Sequence, residues 1–114
     1  MSYKISGGNK TERHIAERCL CWCVEKFPLK GVNIYLRFAP ITSAQGWATK
    51  TDRYNYEVTI STQYVFLSLM TETIIHELVH IKQWKTGEWV GDGEDEADEK
   101  AREISNLLWK ANLI

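Results

Sequence analysis

The segment Thr73 to His80 reads TIIHELVH and places two histidines, His76 and His80, four residues apart with Glu77 directly after the first. On a helix, residues i and i+4 project from one side, so both imidazoles can reach a single ion at roughly 2.0–2.1 Å, the distance of zinc from a histidine nitrogen. Glu77, one residue on, falls at the edge of that face, beside the ion's solvent position and not on the ion. That is where a general base belongs. A metal brings the pKa of water towards about 7, and a carboxylate alongside can take the proton and pass it to a leaving amine. The competing reading is two histidines placed by chance on a buried helix, which leaves imidazoles and a carboxylate unpaired among apolar neighbours at considerable cost. The chain has only three histidines, and two of them bracket this glutamate.

A catalytic zinc takes three protein ligands and keeps one position open. No histidine follows His80, and His14, in the first predicted helix, reads as a surface or capping residue. The third ligand is therefore expected in the stretch Asp92 to Glu99, which holds six carboxylates and no basic residue. Most of these read as a solvated face and as favourable charge at a helix N-terminus. If Ala97, Ala101, Ile104 and Leu108 form the buried stripe of that helix, Glu94 lies on the same side one turn earlier. Glu94 is thus the expected ligand, with Glu96 in reserve. Asp98, four beyond Glu94, is placed to accept the second ring N–H of a ligating histidine. The spacing fits no calcium-loop motif.

These groups need elements to hold them. A helix is expected from Thr11, as its cap, to about Phe27, ended by Pro28 and Gly31. Val32 to Phe38 alternates and is rich in β-branched and aromatic residues, as a strand should be, and Gly46 to Thr49 and Tyr54 to Ser61 follow as two more. A short helical segment around Tyr64 to Met70 precedes a helix over Thr71 to Lys85, with Ile74, Ile75, Leu78 and Ile81 as its stripe and Gly87 as its stop. A final helix is expected over Glu94 to Asn112. Strands grouped between helices predict an α+β fold: an N-terminal helix, a small mixed three-stranded sheet, the histidine helix and a C-terminal helix.

At 114 residues the chain reads as one domain, residues 1–114, with room for a modest core. Its 44% apolar and 25% charged residues are globular values that exclude a disordered chain. A net charge of -1 gives no reason to expect nucleic acid or a membrane surface as partner. Cys19, Cys21 and Cys23 are odd in number and crowded, a poor disulfide framework that points to a reducing compartment, as buried, reduced side chains. The start, MSYKISGGNKTER, lacks the apolar stretch of a secretion signal, and no apolar run reaches the length of a membrane span, so a cytoplasmic location is expected. Trp84 and Trp89 flank the exit of the histidine helix and read as packing residues, with a place lining a substrate cleft as the alternative.

With HELVH followed by EDEAD, the chain resembles the zincin metallopeptidases of the gluzincin kind over roughly Tyr54 to Ile104. In that group HExxH is followed by a glutamate within ExxxD or ExxA on a later helix, which Glu94, Ala97 and Asp98 match. The resemblance implies a minimal zincin-like domain, Zn2+ as cofactor, and a peptide or protein substrate hydrolysed with Glu77 as base. It also implies that the strand Tyr54 to Ser61, through Val58, Thr59 and Ile60, is the edge that pairs with extended substrate. The order of strand, short helix and TxxHELVH is similar as well to SprT-like proteases and to minimal metallopeptidases of phage and bacterial genomes. SprT-like proteins use a third histidine downstream and a cysteine-rich zinc module, and both are missing here. Zincins commonly steady the oxyanion with a tyrosine, histidine or arginine, and no residue is assigned to that role. The alternative is a non-catalytic module of the same fold, phage or bacterial, that keeps zinc for stability and binds a partner.

Overall fold

The computed structural model describes residues 2–114, and its elements run β1 (Ser2–Ser6), α1 (Lys10–Lys26), β2 (Asn33–Ala39), β3 (Gly46–Lys50), β4 (Asn55–Ser61), α2 (Leu67–Thr86) and α3 (Glu94–Lys110). This is an α+β architecture of three helices and one mixed sheet, with four strands in the order β1-β2-β4-β3. β1 runs parallel to β2, β2 parallel to β4, and β3 antiparallel to β4.

Alternation decides which face of the sheet is covered. In β2, Ile34, Leu36 and Phe38 are buried while Asn33, Tyr35 and Arg37 are exposed, the two-residue period of a sheet packed on one side. Helices α1 and α2 lie against that side, joining Ile15, Leu20, Ile74 and Leu78 to the strand residues in one core. α3 packs on α2 and makes no comparable contact with the sheet, so the α2–α3 seam lies at the margin of the core. Ile74, Ile75, Leu78 and Ile81 are fully buried. Each contributes about 1.5–3 kcal/mol by leaving water, which offsets the cost of the polar residues Thr71, Glu77, His80 and Gln83 buried on the same helix.

The three-stranded expectation is corrected to four. Ser2–Ser6 is a strand, β1, joined to β2 through α1 as a parallel β-α-β unit. Its two apolar residues, Tyr3 and Ile5, are only partly buried, and so weak a pattern beside two glycines reads as a polar start. Two further boundaries move. Asn9, not Thr11, caps α1, because Glu12 stands at the third helical position and completes a capping box: Asn9 Oδ1 accepts from the Glu12 N–H at 2.8 Å, and the Glu12 carboxylate from the Asn9 N–H at 2.7 Å. The segment before the histidines is one continuous helix from Leu67. It stops at Gly87, whose φ of 72° is left-handed and favours glycine. Among the described residues no helix is long and apolar enough to cross a membrane.

Candidate metal centre

The histidines of α2 face the first turn of α3. His76 Nε2 lies 3.1 Å from His80 Nε2 and 3.1 Å from Glu94 Oε2, and His80 Nε2 lies 3.0 Å from Glu94 Oε1. Donors about 2.1 Å from a tetrahedral ion stand roughly 3.4 Å from one another, so the two nitrogens and the carboxylate, which turns one oxygen to each ring, converge at close to the separation an ion requires. Among the described residues this is the one group of histidine, cysteine and acidic side chains that converges in this way.

The outer ring atoms explain why the triangle faces inward with its lone pairs. His76 Nδ1 is 2.9 Å from Asp98 Oδ1. His80 Nδ1 is 2.9 Å from Gln83 Oε1. Both partners are acceptors, so each ring donates at Nδ1, and the tautomer this selects carries its lone pair on Nε2. Protons on both Nε2 atoms would set two N–H donors against each other at 3.1 Å. Two bare nitrogens and a carboxylate at this separation repel unless a cation or a proton lies among them, and a divalent cation satisfies all three at once. The residues present therefore fit a metal.

Glu77 is buried, at 7% exposure. Burial pushes its carboxyl above the ordinary value, and Glu94's negative charge adds to the rise, while His76 and His80, when charged, pull it down. Two hollows flank the centre. One of about 300 Å³ is lined by Leu69, Glu72, Thr73, Asp98 and Arg102, and the other of about 400 Å³ by Trp47, Ala48, Trp84, Asp92 and Glu94. His76, Glu77 and Gly46 line both, so a cleft passes the centre between β3 and the helices. No family model, curated protein or solved structure matches this chain.

The structure thus brings His76, His80 and Glu94 together, with Asp98 behind His76. Glu96, the reserve ligand, is directed elsewhere and accepts from Gln83 Nε2 at 2.8 Å. His14 is exposed on α1. The assignment of Val58, Thr59 and Ile60 to an edge is overturned: β4 is hydrogen-bonded to β2 on one side and to β3 on the other. The edge beside the cleft is β3. Thr59 and Ser61 are buried along with Tyr56, Val58 and Ile60 because β4 is flanked by a strand on each side, a placement that the partly polar run YNYEVTIS does not announce. Trp84, one of the two tryptophans at the exit of the histidine helix, both packs and lines the cleft, stacking between His80 and Tyr56 with both ring centroids 6.1 Å away. Gln83 and Arg102, the one lysine or arginine lining either hollow, carry no sequence signal of their place.

Proposed function

We propose that this chain is a zinc-dependent metallopeptidase of minimal zincin-like form, with Zn2+ held by His76, His80 and Glu94 and an extended peptide or protein segment as substrate. The observation that carries the reading is the convergence of His76 Nε2, His80 Nε2 and the two oxygens of Glu94, each histidine nitrogen 3.0–3.1 Å from the other and from one carboxylate oxygen, with a buried carboxylate next to it and an open cleft alongside. The resemblance of HELVH and EDEAD to gluzincins supports the same conclusion. When bound, the zinc ion supplies a Lewis acid that polarises a carbonyl and acidifies water.

The chain's own residues do the remainder. Glu77 takes a proton from the attacking water and returns it to the amine nitrogen as the C–N bond breaks, a role suited to a carboxyl whose proton affinity burial has raised. Asp98 and Gln83 hold the two rings. The outer edge of β3 presents unpaired main-chain donors and acceptors to which a peptide can add as a further strand, with Trp47 and Trp84 lining the cleft at one end. Three unpaired cysteines support a reducing, cytoplasmic setting.

The test is cleavage of an unstructured protein by wild type and Glu77→Gln, with zinc affinity measured in parallel. We expect the variant to lose about 10²–10⁴ in kcat while binding zinc as wild type does. Equal cleavage by both would remove Glu77 from the role. Zinc binding without any cleavage by wild type would favour the non-catalytic module.

A further inference from the structure

We propose that Gln83 is a positioning residue of this centre, a single buried amide that orients His80 and anchors the start of α3 together, so that the second imidazole and Glu94 reach the ion as a pair. The inference rests on the metal-binding part of the reading above. Gln83 is 2% exposed, and each polar atom of its amide has a partner. Nε2 donates to the Gly93 carbonyl at 3.0 Å and to Glu96 Oε1 at 2.8 Å. Oε1 lies 2.9 Å from His80 Nδ1.

The orientation of the amide follows from these partners. Gly93 O and Glu96 Oε1 only accept, so the nitrogen must face them and the oxygen must face His80. His80 then has to donate at Nδ1, which turns its bare Nε2 towards Glu94. The same amide holds the carbonyl of Gly93, the residue immediately before Glu94, and a carboxylate in the first turn of α3. Gly93 makes the approach possible: its φ is +82°, and a Cβ there would lie 2.5 Å from Gln83 Oε1. Two devices therefore hold the two rings. Asp98, behind His76, has a side chain 56% exposed, and water can stand in for it. Water has no such access to Gln83, and loss of its amide leaves the buried His80 Nδ1 without its partner.

The experiment measures zinc affinity of the full chain by competition with a chromogenic chelator, for wild type, Gln83→Met and Gln83→Glu, with far-UV circular dichroism of the metal-free proteins. Co2+ spectra of the same set report ligand geometry, which a merely structural role would not move. Gln83→Met is expected to weaken zinc binding about 10–100-fold and to alter the Co2+ bands, with the metal-free fold retained. Gln83→Glu keeps an acceptor for His80 but sets a carboxylate against Gly93 O and Glu96, and a loss of at least about tenfold is expected. Should Gln83→Met fail to fold, Gln83→Glu decides. Wild-type affinity and spectrum in a folded variant would overturn the role of Gln83 alone, whereas a wild-type chain that binds no zinc would overturn the metal centre itself.

Discussion

Two helices of this protein carry metal-capable side chains at i and i+4, and they behave in opposite ways. On α1 the pair is Cys19 and Cys23, both with no exposed surface and both inside the core. Burial pushes the Cys19 thiol up to about 12, and burial together with the neighbouring Cys19 raises Cys23 as well. A thiol ligates and reacts as thiolate, so this pair is inert packing. On α2 the pair is His76 and His80, at the margin of the core, where α3 presents Glu94. The helical spacing is identical. What separates the two is a second element that brings a third metal-capable side chain, Glu94, to the pair and leaves a cleft open to solvent.

The contrast breaks most visibly in thiol chemistry. Under native conditions iodoacetamide should modify the exposed Cys21 and reach Cys19 and Cys23 only through unfolding. For a domain stable by about 5–15 kcal/mol that means protection of at least about 10³-fold, and intact mass should show a single adduct. Three adducts at similar rates would mean that α1 is open and the comparison is void. Metal binding sharpens the same contrast from the other side. Zinc at about 100 times its Kd should stabilise the chain by about 2.7 kcal/mol, or about 10 °C in Tm for a domain of this size. His80→Ala should abolish that gain. The double variant Cys19→Ala, Cys23→Ala should keep it while melting lower without metal, since two core side chains are cut short. Loss of the zinc effect in the cysteine variant, with its fold intact, would place a metal on α1.

How much of this could be read from the chain follows the range of the interactions. The histidine pair and the apolar stripes of α2 and α3 are local, set by helical period within a turn or two, and they suffice to bring out Glu94 and Asp98. β1 hid because an edge strand with two half-buried apolar residues is held by its neighbour rather than by its own pattern. The interior place of β4 depends on pairing with β2, more than twenty residues back (Asn33 to Asn55, for instance), and no local pattern encodes it. Gln83 was out of reach for the same reason: its value lies in Gly93 and Glu96, on the far side of a loop whose path only the packed helices fix.

The smallest effect expected concerns the acid each region has buried. The folded value of Glu77 is raised, so the stability associated with its protonated form is full below the unfolded value of about 4.3 and is lost as pH rises through the folded value. Above the folded value the metal-free protein therefore keeps a buried carboxylate at a cost, and Glu77→Gln, of nearly the same shape, removes it. The metal-free variant should melt a few degrees above wild type at pH 7, with the difference fading towards about pH 4. Zinc should shrink the advantage, because its charge offsets that of the carboxylate. The cysteines act at the opposite end of the scale. Their raised values make stability fall only above the ordinary thiol value of about 8.5, as the unfolded chain ionises first, so replacing Cys19 and Cys23 by alanine should flatten the alkaline limb and leave the acid limb alone. A Glu77→Gln protein that tracks wild type at every pH without metal would show that Glu77 is as well solvated folded as unfolded, and the burial that sets Glu77 apart at the α2–α3 seam would have to be given up.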